Sequence, residues 1–393
     1  MKRLVAVLLF CAVAVQGTSG CAVEPSSGAM GAQEDLSEAP ADIAGILGIP
    51  PLGLLYRWVY VPFDGRRLHD GTVLGPTYCM NGSPAGLAFN LSQASSSLLI
   101  FLEGGGACWD ETSCAHVGRP DGIDSTELLE SLARTSENGG ILDRGLAQSP
   151  VRDWSFVYVP YCSGDFHGGT GTVGREDRVH FGHANMAAFL ELLVETFADA
   201  DQVLLTGSSA GGIGALFNFE QTRTAFGPDR VYHVNDAAPV LPSEHLSRCL
   251  EQQWRDTFGL DDMLPEDCDG CRDHLFNLIP HLLDQDPRPR LGLTSGTRDL
   301  VIRWFYSWGQ TDCTGPGRWW TFDLAGGLDD VRSELAEYDN FRTFYVDTWL
   351  HTFLGYGGRD LGFQTTSPDG VVLSDWVGCL LQETDCTWEH EGP

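Results

Sequence analysis

Short, fully apolar runs alternate with longer stretches of helical spacing through most of this chain, and that alternation constrains the fold more than any other feature. Residues 98–102 and 154–159 read as buried strands. Residues 186–197 carry Phe189, Leu190, Leu193, Val194 and Phe197 at helical spacing and read as a helix. Residues 203–205 then give a strand, 213–222 a helix, and 230–234, 290–294 and 342–346 three further strands. Strands apolar on both faces and separated by helices imply an α/β fold, a mostly parallel central sheet with helices on both faces. In such sheets the chemistry gathers at the carboxyl ends of the strands. The 393 residues leave room for two ordinary domains, but neither a second linker nor an internal repeat is visible, so residues 46–393 are expected to form a single domain.

The first residues read differently. Lys2 and Arg3 precede an apolar run over residues 4–15, followed by Gly17, Thr18, Ser19, Gly20 and Cys21, the pattern of a secretory signal peptide over residues 1–21. That run is too short to span a bilayer. The triplet ending at Cys21 also resembles the end of a bacterial lipobox, with Thr18 where Leu is usual, so simple cleavage and a lipid anchor on Cys21 stand as alternatives. Residues 22–45 are small, acidic or Pro residues with few large apolar ones, a flexible tether.

Export suits the cysteines. Of twelve, Cys11 and Cys21 lie in the leader, and the remaining ten form an even set fitted to disulfides in an oxidising compartment. Cys108 with Cys114, and Cys379 with Cys386, flank short segments and are expected to be local bridges. Cys268 and Cys271 are also read as a disulfide, because half a zinc site built with His274 lacks a matching second pair of ligands. A net charge of −30 repels phosphate backbones and anionic membranes and argues against nucleic acid as a partner. Lys2 is the single lysine, which leaves no lysine for Schiff-base or P-loop chemistry in the body of the chain.

Gly207-Ser208-Ser209-Ala210-Gly211 follows the strand at residue 203 and runs directly into a helix. A serine on such a sharp strand-to-helix turn is exposed above the sheet edge beside free helix amides, and the small flanking residues let the elbow pack. Ser209 has the register of a nucleophile; Ser208 does not. A serine hydroxyl needs a base and an orienting acid, which in this arrangement follow in the order acid, then His. Asp299 lies just after the strand at 290–294, and His351 follows the last strand. Asp236 is an alternative acid, placed second on strand order, and Asp347 is read as a turn cap. His167, His183 and His233 are expected to have packing or surface roles. The amide of Ala210, with the glycine-rich loop Glu103-Gly104-Gly105-Gly106-Ala107-Cys108-Trp109 after an earlier strand, supplies donors for an oxyanion, and a bridge from Cys108 to Cys114 would stiffen that loop.

Taken together, Leu102-Glu103-Gly104-Gly105 with Cys108 and Trp109, then Tyr158-Val159-Pro160-Tyr161-Cys162-Ser163-Gly164-Asp165 with His167, then Gly207 to Gly211, resemble the pectin acetylesterase and Notum family of secreted α/β-hydrolases. The resemblance extends to Asn235, Asp236, Asp299 and His351. It implies Ser209, Asp299 and His351 as the catalytic triad, Gly105, Gly106 and Ala210 around the oxyanion, and a bridge from Cys79 to Cys162. The implied reaction is carboxylester hydrolysis through an acyl-enzyme, with no metal or organic cofactor. Gly106 and Ala107 stand where Notum-like members carry bulkier residues, so the resemblance fixes the reaction better than the substrate; an acetylated polysaccharide is the expected substrate class, with a longer-chain acyl ester as the alternative. A second class of function is a non-catalytic carbohydrate-binding protein on a hydrolase scaffold, with tryptophans such as Trp319 and Trp320 stacking on sugars.

Overall fold

Val203–Ser208 is buried along its whole length and pairs in parallel with a strand on either side, so it lies inside a sheet rather than at its edge. The structure, a computed structural model, describes residues 55–63, 68, 73–174, 177–355, 357–358, 361–382 and 386–393. All of these belong to one compact unit, Pro40–Pro393. The leader at 1–21, with Cys11 and Cys21, and the tether at 22–45 lie outside the described residues.

The main sheet has eight strands: β1 (Val59–Pro62), β2 (Gly86–Asn90), β3 (Leu98–Leu102), β4 (Ser155–Val159), β5 (Val203–Ser208), β6 (Val231–Asp236), β7 (Leu291–Gly296) and β8 (Phe341–Val346), in the spatial order β1-β2-β4-β3-β5-β6-β7-β8. The β1–β2 and β2–β4 pairs are antiparallel and every other pair is parallel. The helices needed below are α1 (Ser125–Thr135), α2 (Gly182–Thr196), α3 (Ala210–Phe217), α4 (Phe219–Phe226), α5 (Arg248–Phe258), α6 (Leu300–Tyr306) and α7 (Leu373–Leu381). Alternation along a strand sends successive side chains to opposite faces. Leu98, Ile100 and Leu102 of β3 accordingly enter one core, with residues of α2, α3 and α5, while Leu99 and Phe101 enter the other, with Leu128 and Leu132 of α1 and Trp376 and Val377 of α7. This is an α/β-hydrolase fold.

Two strands and one helix depart from the sequence expectation. β1 and β2 carry a proline, a glycine and an asparagine among few residues, and no period-2 signal survives that composition. The helix expected over 213–222 is two helices. Asn218 closes α3 and opens α4, and its Nδ2 donates to the carbonyls of Gly214 at 2.7 Å and His167 at 2.9 Å, tying the break to the loop after β4.

Disulfides join Cys79 to Cys162, Cys108 to Cys114, Cys268 to Cys271, Cys379 to Cys386, and Cys249 to Cys313. The last spans 64 residues, and nothing in its spacing announced it. His274, considered beside Cys268 and Cys271, instead lies 3.2 Å from the buried Glu251 carboxylate.

Candidate active site

The apolar run of β5 ends where its neighbours stop, and the chain must turn sharply to start α3. A side chain at Gly207 would overlap the Leu102 and Gly211 carbonyls, and one at Gly211 would overlap Leu102 again, so the two outer glycines are required by backbone crowding. Between them Ser209 takes φ 57° and ψ −125°, a sparsely populated conformation for a residue with a side chain. Such strain costs on the order of 1–3 kcal/mol. The bond from the Ser209 amide to the Asp236 carbonyl, 2.7 Å, holds the turn.

Ser209 Oγ lies 2.8 Å from His351 Nε2, and His351 Nδ1 lies 2.6 Å from Asp299 Oδ2. Asp299 is fully buried and caps α6, its Oδ1 accepting the amides of Val301 at 2.8 Å and Ile302 at 3.1 Å. Burial pushes the Asp299 carboxyl up, against the pull of His351 and the helix amides. For His351 burial opposes the charged ring, but the Asp299 carboxylate outweighs it and raises the imidazole above its ordinary value.

Asp236, the second candidate acid, does not reach His351. Its buried carboxylate accepts from Ser208 Oγ at 2.6 Å, Thr294 Oγ1 at 3.0 Å, and the amides of Phe353 and Leu354, both at 2.9 Å. It therefore fastens the loop carrying His351 to the ends of β5, β6 and β7. Asp347, read as a turn cap, is exposed and pairs with Arg298 at 2.7 Å.

The glycine loop after β3 is held as firmly. Glu103 takes Arg119 in a bidentate pair at 2.9 and 3.0 Å and accepts the Tyr161 amide at 2.8 Å. The neighbouring Gly118 amide donates to the Gly105 carbonyl at 3.0 Å. Carbonyl and amide of one trans peptide point in opposite directions, so the Gly106 N–H is turned away from Gly118. Among the described residues neither that amide nor the amide of Ala210 meets an acceptor. Gly105 and Gly106 have φ of 150° and 75°, and a side chain on Gly106 would meet the His116 carbonyl at 2.7 Å. Gly106, Ser209 and Ala210 line a small apolar cavity of about 30 Å³, closed by Phe166, Trp254, Phe305 and Tyr306. Gly105, in the same loop, does not line it.

The remaining histidines named from sequence are elsewhere. His167 bonds to the Glu103 carbonyl at 2.9 Å, His183 to Gln221 at 3.1 Å, and His233 to the Leu205 carbonyl at 3.0 Å. Sequence reasoning missed Arg119, Trp254, Phe305 and Tyr306. None carries a local motif, and only the packing of α5, α6 and the loop after β3 brings them to Ser209.

A family model described as Pectinacetylesterase matches residues 70–272. The chain belongs to the pectinacetylesterase family. The matched region includes the glycine loop and Ser209 and ends before Asp299 and His351. Over 148 residues the chain is 33% identical to the human palmitoleoyl-protein carboxylesterase NOTUM, covering 36% of this chain and 29% of that one. Over 217 residues it is 28% identical to the Drosophila melanogaster enzyme of the same name, covering 48% and 31%. The chain thus spans about a third of the length of these curated relatives. The solved structure of the Wnt deacylase Notum from Drosophila superposes with a TM-score of 0.53 at 22% identity, covering 78% of this chain and 91% of that chain, a likeness of fold. The family is one of carboxylic ester hydrolases.

Proposed function

We propose that the protein is a secreted serine carboxylester hydrolase that removes acetyl groups from a polysaccharide, with residues 46–393 as its catalytic domain. The observation that carries this reading is the unbroken chain of short contacts from Ser209 Oγ through His351 to Asp299, ending beside a small apolar cavity. Ser209 Oγ attacks the ester carbonyl while His351 Nε2 takes its proton, and Asp299 steadies the imidazolium through Nδ1. The tetrahedral oxyanion is received by the amides of Gly106 and Ala210, with Gly105 setting the loop. Collapse breaks the bond to the sugar oxygen, which leaves as an alcohol with the proton from His351. Water, deprotonated by His351, then attacks the acyl-enzyme and releases acetate and free Ser209.

The cavity argues for acetyl over a long acyl chain. Its walls are the indole of Trp254 and the rings of Phe166, Phe305 and Tyr306, and Trp254 is 1% exposed, so lengthening the chain requires moving a packed core residue. Five disulfides favour an oxidising, extracytoplasmic location. Among the described residues no helix is long and apolar enough to cross a membrane. Mass spectrometry of the mature N-terminus separates simple cleavage near Cys21 from a lipid anchor on it.

Rates on acetyl, butyryl and octanoyl esters of one chromophore test the reading. We expect kcat/KM to fall about tenfold or more from acetyl to butyryl, since a single methylene in a tight pocket is worth roughly 10- to 200-fold. Rates that rise with chain length would contradict it and favour a Notum-like deacylase.

A further inference from the structure

We propose that Asp165, a buried carboxylate in the loop after β4, is a positioning residue that sets which acyl chains the enzyme accepts, by holding Phe166 in place as a wall of the acyl cavity. This rests on the esterase reading above and names what fixes the size of its cavity.

Neighbouring residues of that loop serve different parts of the site. The Gly164 carbonyl accepts the Cys108 amide at 2.7 Å, near the end of the glycine loop. Phe166 closes the acyl cavity, and its ring packs edge-on against Trp254, a second wall, with centroids 5.0 Å apart. His167 Nε2 donates to the Glu103 carbonyl at 2.9 Å, at the start of the glycine loop. Phe166 and His167 do this from φ of 58° and 53°, the left-handed region, which a bulky side chain enters only when its surroundings impose it. Asp165 lies in the middle of this run.

Asp165 is fully buried. Its Oδ1 accepts the Ser163 hydroxyl at 2.6 Å, and its Oδ2 accepts the Gly182 amide at 2.8 Å and the Gly169 amide at 3.2 Å. Ser163 and Gly169 flank the strained pair and Gly182 opens α2, so one carboxylate closes the loop on itself and ties it to a core helix. The packing leaves no slack. A side chain on Gly169 or Gly182 would collide with the carboxylate, and one on Gly214 of α3 would meet the Phe166 carbonyl at 2.6 Å. Bonds from fixed donors to a carboxylate are charge-assisted and stronger than neutral ones. Without them the loop relieves its strain by letting Phe166 leave the left-handed region, and the ring then leaves the cavity wall. Tyr161, whose hydroxyl accepts the Phe166 amide at 2.8 Å, and Asn218, whose Nδ2 donates to the His167 carbonyl at 2.9 Å, each hold a single group, whereas Asp165 spans the run.

Rates on acetyl and butyryl esters of one chromophore, measured on the full chain as parent, Asp165→Ala, Phe166→Ala and the double variant, test this. A partly unfolded variant loses both rates alike, so the butyryl to acetyl ratio of kcat/KM reads the cavity and not the amount of folded enzyme. We expect the ratio to rise about tenfold in Asp165→Ala and in Phe166→Ala, and no further in the double variant, because both changes remove the same wall. Asp165→Asn keeps a carbonyl acceptor for the Gly182 amide and is expected to raise the ratio only about threefold. Thermal unfolding checks that each variant folds. An unchanged ratio in folded Asp165→Ala, or in Asp165→Asn should Asp165→Ala not fold, overturns the proposal, as does a double variant whose ratio multiplies the two single effects. Failure of the esterase reading would appear separately, as a folded parent that does not hydrolyse the acetyl ester.

Discussion

The Asp236 carboxylate at the end of β6 accepts the Phe353 amide 117 residues further along, at 2.9 Å, and so anchors the loop on which His351 stands. It also takes the hydroxyl of Ser208, the residue immediately before the proposed nucleophile. One buried carboxylate thus sets the spacing between Ser209 and His351 without touching the imidazole. Asp236→Ala leaves two backbone amides and two hydroxyls without their acceptor, and we expect a loss of about 3 kcal/mol in urea unfolding, together with a large fall in kcat. Stability unchanged within about 0.5 kcal/mol would remove this role.

Asp299→Asn separates the two acids. His351 must be neutral to take the Ser209 proton, and Asp299 holds its pKa above the ordinary value, so activity is expected to fall as pH drops through a limb lying above about 6.5. Replacing Asp299 lowers that pKa, moves the limb to lower pH and reduces kcat by several orders of magnitude. Asp236→Asn, which exerts only a distant pull on the imidazole, is expected to move the limb much less. A pH–rate profile of each variant decides it, and a larger shift in Asp236→Asn would exchange the two assignments.

Much of this was legible in the chain. Buried strands such as Leu98–Leu102 declare themselves because both faces are apolar, and the order Ser209, Asp299, His351 follows from which strand each residue succeeds. The half-buried edge strand β1 did not, since its burial is decided by neighbours rather than by its own residues. Nor could the part played by Asp236 be read, because the amides that satisfy it are set by a loop far away in sequence. Trp254, Phe305 and Tyr306 carry no local motif, and apart from the face each turns to the cavity beside Ser209 they are ordinary buried core.

The acyl cavity gives a gain-of-function outcome. Trp254→Ala removes its largest wall, and we expect the butyryl to acetyl ratio of kcat/KM to rise at least tenfold while absolute acetyl activity falls. Melting temperature should also drop, since a buried Trp truncated to Ala costs about 3–5 kcal/mol. An unchanged ratio in a folded variant would mean that the acyl group lies elsewhere.

The Glu103–Arg119 pair positions the loop that carries Gly106. Arg119→Met keeps bulk but leaves the Glu103 carboxylate partly unpaired, and the expected result is a drop in kcat of about ten- to a hundredfold with KM little changed. Arg119→Lys, which restores the charge without the fork, should recover part of the loss. A change confined to KM would place the pair in substrate binding instead.

The central claim is that Ser209 is an activated nucleophile. Intact-mass and peptide analysis after treatment with a fluorophosphonate measures this directly. We expect one adduct, located on Ser209, formed by the parent, absent in Ser209→Ala and strongly slowed in His351→Ala. No adduct in the folded parent, or an undiminished adduct in Ser209→Ala, would contradict the account.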